Sequence, residues 1–318
     1  MNNIYKFILL ISFFIQAYSA EVITPIPLEI KYDKQKALLG KKLFYDTRLS
    51  KDDTISCAVC HIIEDGGDDN IKYSFGVDGQ QGILNSPTVL NAVFNFSQMR
   101  DGSAKDLADQ VHMPLTNPIE MGATYKDIIL KLKDDKEYKK LFKKIYDEDI
   151  NKENINNALS QYQTALITPN SRFDQYLRGD KNALSQDEKE GFELFKKNGC
   201  AACHNGVNIG GNLYQKVGIL TPYKYNEIDK IHELGRYSVT KKEHDRNLVK
   251  VPMLRNIELT APYLHNGSIK ELSTMVRFML KYQVGIKQSD ENIGKIVKYL
   301  KTLTGDIPSI QKEENDKK

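Results

Sequence analysis

The pentapeptide Cys-x-x-Cys-His occurs twice, as Cys57-Ala-Val-Cys60-His61 and Cys200-Ala-Ala-Cys203-His204, and together the two copies use every cysteine in the chain. Two thiols one helical turn apart match the vinyl pair of a haem, and a His beside the second thiol is placed to bind the iron. The motif therefore reads as two covalently attached c-type haems. Disulfides are the default use of four cysteines in a secreted chain, but they would not require a His after each pair. A zinc ribbon brings its Cys pairs much closer together in sequence and has no need of those histidines. Thioredoxin-like exchange requires a βαβ context, which is missing here, and gives no reason for a second copy.

The N-terminus agrees with this chemistry. Lys6 precedes the apolar run Phe7 to Ile15, followed by Ala17-Tyr-Ser-Ala20. That pattern is expected to be a secretory signal peptide over residues 1–20, cut after Ser19 or Ala20. The run is shorter than the roughly 20 apolar residues that span a bilayer, and no later stretch approaches that length. The mature protein is thus expected in the periplasm with no membrane span, where c-type haem attachment is completed. A net charge of +3, with no long single-sign run, excludes the clustered basic face of a nucleic-acid binder. The 318 residues, 40% hydrophobic, suffice for two compact cores.

Helical periodicity dominates, and convincing strand alternation is almost absent. Helices are expected over Lys34 to Tyr45, Ala104 to Val111, Tyr125 to Leu132, Glu137 to Ile145, Glu153 to Leu166, Gln186 to Lys197 and Ser289 to Thr304. Ser185 and Glu188 form a capping-box signature, Ser289 or Asp290 caps the last helix, and Gly305 ends it. Asn205 to Lys250, rich in Gly, Asn and Tyr, reads as long irregular connections around a cofactor. Turn residues between Thr168 and Asn182 suggest a boundary. The expected fold is mainly α, with two tandem cytochrome c-like haem domains at 21–170 and 171–308 and a disordered tail at 309–318.

Leu39 to Ser50, Asn85-Ser-Pro-Thr-Val-Leu-Asn-Ala92, Asn117-Pro-Ile-Glu-Met121, Leu254-Arg-Asn256 and Leu259 to Gly267 together resemble the bacterial di-haem cytochrome c peroxidases, a family that includes the MauG-type enzymes. The match runs in order from about Ala37 to Leu303. The resemblance implies a peroxidatic haem on His61, with Gln110 and Glu120 on its open side, and an electron-transfer haem on His204, with Met279 as second ligand. Met275, one helical turn away, is the alternative ligand. It also implies one calcium ion between the domains, held by Asn85 and by the carbonyls of Thr260 and Pro262, and a homodimer. A carboxylate such as Glu120 suits proton transfer between the two oxygens of a peroxide, and the Gln110 amide suits its orientation. His232 and His244 read as surface residues, and His265 receives no catalytic role.

Two departures stand out. Many relatives carry a Trp between the haems where this chain has Arg100, and the chain contains no Trp. Electrons must then pass by other groups, its 17 Tyr included, while Arg100 suits a haem propionate. Many relatives also carry a blocking His at the position of Val77, which cannot ligate iron. The peroxidatic haem is therefore expected to be open in the oxidised protein, with His112 and Met113 as nearby substitute ligands. The expected activity is reduction of hydrogen peroxide to water, with electrons from a small soluble cytochrome c or cupredoxin. The alternatives are a MauG-type protein-oxidising enzyme, weakened by Met279 and the absent Trp, and a di-haem shuttle without peroxide chemistry.

Overall fold

The computed structural model describes residues 23–223 and 234–313. The expected signal peptide and His232 lie outside the described residues. In chain order the helices are α1 (Lys34–Phe44), α2 (Cys57–Cys60), α3 (Leu107–Gln110), α4 (His112–Thr116), α5 (Tyr125–Lys133), α6 (Lys136–Tyr146) and α7 (Lys152–Ala165). They continue with α8 (Arg172–Leu177), α9 (Gln186–Lys197), α10 (Tyr237–Thr240), α11 (Leu272–Met279) and α12 (Asp290–Lys301). A short antiparallel ribbon, β1 (Tyr214–Gln215) with β2 (Val249–Lys250), pairs Tyr214 with Lys250. No helix among the described residues is long and apolar enough to cross a membrane.

Local chemistry starts these helices where the sequence suggests. Asp33, Ser185 and Ser289 accept the N–H groups of Lys36, Glu188 and Asn292, and Ser185 with Glu188 closes a reciprocal capping box. The helix expected from Ala104 is shorter, because Ala104 instead pairs with Gln98 in an isolated bridge.

Each domain is built on one crossed helix pair, and the two pairs correspond residue by residue. In the first domain α1 crosses α7 at Gly40, where an added Cβ would lie 2.0 Å from the Ala158 carbonyl oxygen. In the second, α9 crosses α12 at Gly191, where a Cβ would lie 2.0 Å from the Lys295 carbonyl oxygen. Only a residue without a side chain permits such an approach. Four residues on, Phe44 meets Tyr162 with ring centroids 5.1 Å apart, and Phe195 meets Tyr299 at 5.2 Å. The same two phenylalanines back the haem-motif histidines, Phe44 at 6.4 Å from His61 and Phe195 at 6.5 Å from His204.

The cores confirm two units but not the simple order of segments along the chain. The first core draws on residues from Ala37 to Leu166 and adds Ile310; the second draws on residues from Phe173 to Leu303 and adds Ile23. The terminal arms thus cross over. Ile23 bridges Gly206, and the Ile26 N–H donates to Asp174, whose carboxylate is paired at 2.7 Å with Arg255 in a fully buried ion pair. The Arg255 guanidinium also donates to the carbonyls of Val207 and Thr24.

The other arm is ordered over the described part of the expected disordered tail, while 314–318 lie outside the described residues. Ser309–Lys312 form a 3-10 turn, and Ile310 is fully buried, worth about 1.5–3 kcal/mol of apolar burial. Lys41 donates to the carbonyls of Ile310, Gln311 and Glu313, and Tyr162 donates to Gln311 at 2.6 Å. Gly305 also serves a different purpose from the one expected. The last helix ends at Lys301, while a Cβ at Gly305 would lie 2.0 Å from the Thr168 carbonyl oxygen. Its role is close interdomain packing.

Two candidate haem sites

In both motifs the backbone makes one turn between the cysteines: the His61 N–H bonds to Cys57 at 3.0 Å and the His204 N–H to Cys200 at 2.9 Å. All four cysteines are free and half-buried. Burial pushes their thiols up, Cys57 to about 12 and Cys60 and Cys200 to about 11, and it raises Cys203 too. A redox or zinc-binding thiolate needs the opposite environment. Among the described residues no three His, Cys, Asp or Glu side chains cluster as a metal site. An apolar, protonated thiol pair beside a His fits haem attachment.

Each histidine is oriented by a carbonyl. The Nδ1 of His61 lies 3.1 Å from the Gly67 carbonyl oxygen, and that of His204 lies 3.3 Å from the Ile209 carbonyl oxygen. Donation from Nδ1 leaves the Nε2 lone pair for iron. Burial lowers the affinity of both rings for a second proton, His204 to about 4, so each is neutral and ready to ligate at neutral pH.

The surroundings of the first motif include Glu120. Its Oε1 accepts from the Asn117 side chain at 2.7 Å, and its charge, with that of Asp69, reaches the Cys60 thiol. The side chain keeps a solvent-accessible face, yet the protein packed around it raises its carboxyl above the ordinary range. The loop carrying Val77 docks on the same segment. The Val77 N–H donates to the Glu120 carbonyl at 2.8 Å, and a Cβ at Gly76 would lie 2.2 Å from the Ile119 carbonyl oxygen. Val77 itself is fully buried. Gln110 ends α3, half-buried, and makes no direct hydrogen bond to Glu120. His112 begins α4, and Met113 accepts a long contact from the Ser103 hydroxyl.

In the second domain Met279 ends α11, half-buried, and is followed by a π-helical turn over Leu280–Val284, a local distortion frequent at functional sites. Met275 packs against the second core. His244 is exposed beside Asp245.

The domains meet around a buried polar node. Asn91 and Asn256, each in the left-handed conformation, both bond to the Thr168 hydroxyl. Asn85 donates its N–H to the His265 carbonyl and its side-chain amide to Ile71, each at 2.8 Å. Arg100 sits at the same joint, its carbonyl accepting the Lys250 N–H. Sequence reasoning missed Asn117, which holds Glu120, although it opens the Asn-Pro-Ile-Glu motif. It also missed the repeated Gly-x-x-Leu-Phe at Gly40 to Phe44 and Gly191 to Phe195, which marks the helix crossing ahead of each haem motif. Asp68 gave no signal at all, yet it is almost fully buried.

The sequence profile described as di-haem cytochrome c peroxidase matches residues 34–182, and the one described as cytochrome c matches 188–304. The chain is 45% identical over 286 residues to the cytochrome c peroxidase Ccp of Escherichia coli (strain K12), covering 90% of this chain and 61% of that longer protein. It is also 45% identical over 292 residues to the cytochrome c551 peroxidase of Nitrosomonas europaea, covering 92% and 86% of the two chains. Among solved structures, a MauG-like protein associated with microbial copper homeostasis aligns with a TM-score of 0.77 at 25% identity, covering 91% of this chain and 95% of that one. With two haem motifs framed alike and relatives of this similarity, the chain belongs to the di-haem cytochrome c peroxidases, oxidoreductases that carry two c-type haems.

Proposed function

We propose that the protein reduces hydrogen peroxide to water in the periplasm, at the haem attached through Cys57 and Cys60, with electrons that enter through the haem attached through Cys200 and Cys203. The observation that carries this reading is Glu120: a carboxylate with a raised pKa, held by Asn117 and accessible, within electrostatic reach of the first haem motif. When bound, the haems supply the peroxide-binding metal and store the electrons. Glu120 accepts a proton from one peroxide oxygen and returns it to the other, so that the departing oxygen leaves as water. Gln110 orients the substrate through its amide. The buried, anchored Val77 keeps the approach free of a protein ligand.

In the second domain Met279 would supply a thioether to the haem iron, which would raise that haem's potential. Supporting this choice, Met275 on the same helix is taken up by core packing. Arg100 would pair with a haem propionate. A calcium ion between the domains would be held by the Asn85 side-chain oxygen and the carbonyls of Thr260 and Pro262. In support, the Asn85 amide nitrogen is engaged by Ile71, which leaves its oxygen as an acceptor, and neither carbonyl receives a hydrogen bond among the described residues. A small soluble cytochrome c or cupredoxin is the donor, in a weak, fast encounter.

The test is peroxide consumption with and without a reduced donor, in the wild type and in Glu120→Gln. The expected result is donor-dependent turnover that falls by about 10²–10⁴-fold in the variant with both haem spectra retained. Full activity in the variant would leave only an electron shuttle or another proton carrier.

A further inference from the structure

Asp68 lies one residue beyond the Gly67 carbonyl that orients His61, and it is 1% exposed. Among the described residues neither of its carboxylate oxygens has a hydrogen-bond partner. The charges that reach it, those of Asp69 and Asp65, are themselves negative. A buried carboxylate in such a position is strongly unfavourable unless a proton or a cation compensates it.

Its surroundings are rich in oxygen. A Cβ added to Gly66 would lie 3.1 Å from Asp68 Oδ1 and 2.9 Å from the Leu259 carbonyl oxygen, so carboxylate and carbonyl lie close together against Gly66. The chain then continues into Thr260 and Pro262, whose carbonyls accept no hydrogen bond among the described residues. The Tyr263 hydroxyl, also close enough to feel the Asp68 charge, donates instead to Ile257. Asn85 ties the first domain to this same stretch through the His265 carbonyl. A set made of one carboxylate, carbonyls and an amide oxygen, with no nitrogen or sulfur donor, suits a hard cation of variable coordination, which is calcium rather than zinc or magnesium.

We infer that Asp68 supplies the anionic oxygen of the interdomain calcium site, clamping the loop that follows the first haem motif to the Leu259–Tyr263 segment of the second domain. This rests on the calcium reading above. It adds a charged ligand to an otherwise neutral donor set, so the site holds its cation far more tightly than carbonyls and an amide alone would.

The experiment is calorimetric titration of calcium chloride into the chelator-treated di-haem protein, comparing wild type, Asp68→Asn and Asn85→Ala, with thermal unfolding followed in calcium and in chelator. The expected result is a calcium Kd at least tenfold weaker in Asp68→Asn, with chelator lowering the wild-type Tm more than that of the variant. Should Asp68→Asn fail to accumulate with both haems, Asp68→Ser provides the same comparison. A wild type that binds calcium with a Kd matched by the Asp68 variant overturns the inference and leaves the calcium site standing on Asn85. A wild type that takes up no calcium overturns both.

Discussion

The two haem domains share one frame and differ in what surrounds it. Gly40 and Gly191, Phe44 and Phe195, Tyr162 and Tyr299, Asn91 and Asn256 occupy matching places. Each histidine takes its orientation from a carbonyl five or six residues further on. The first domain then adds a carboxylate, Glu120, with its amide support from Asn117. The second adds a thioether, Met279, and a π-turn. Packing therefore gives the two haem motifs one frame, and a few side chains beyond it make their surroundings differ. One matched position even reverses its chemistry. Leu90, before Asn91, sits in an apolar core, whereas Arg255, before Asn256, is buried against Asp174.

That reversal gives the largest expected effect. Arg255→Leu gives the second domain the residue of the first, but strands Asp174 as an unpaired buried charge and releases the arm at the Thr24 carbonyl. The expected cost is about 3–5 kcal/mol in chemical denaturation followed at the haem, and a loss below ~1 kcal/mol would show that the pair carries little. Met279→Ala should remove the contrast between the haems. The potential of the second haem should fall by on the order of 0.1 V, within the ~0.8 V that axial ligands command, as read by spectroelectrochemistry. An unchanged potential would shift the ligand role to Met275.

Gly40→Ala and Gly191→Ala probe the shared frame. Each forces a methyl onto a helix carbonyl 2.0 Å away, and each should cost about 1–3 kcal/mol, confined to its own domain when the two haems are monitored separately. Unequal penalties would show that one crossing relaxes where the other does not. The smallest effect is in pH dependence. Burial raises the Glu120 carboxyl, and the base must be ionised to accept a proton. Turnover at low peroxide should therefore fall on acidification at a pH above the ordinary carboxylate range, and this limb should vanish in Glu120→Gln. A limb at the ordinary value would indicate a solvated carboxylate.

The haem motifs and the helix starts were legible because they are written in short motifs. Cys-x-x-Cys-His needs only one helical turn, and Ser185 with Glu188 needs only the next. Gly305 was misread because a glycine after a helix ordinarily ends it, whereas here the nearest constraint is the Thr168 backbone, more than a hundred residues away in sequence. Ile310 was assigned to a disordered tail because one apolar residue in a polar segment carries no periodic signal, and its burial depends on a surface formed by α1 and α7.

The sequence by itself determined that there are two haem motifs and that helices carry them. These follow from local spacing and from residue chemistry. Only the tertiary structure decided that the terminal arms exchange domains, that Asn91 and Asn256 share Thr168, and that Asp68 is buried with no hydrogen-bond partner among the described residues. Burial and pairing are set by what arrives from elsewhere in the chain, and local patterning does not encode that arrival.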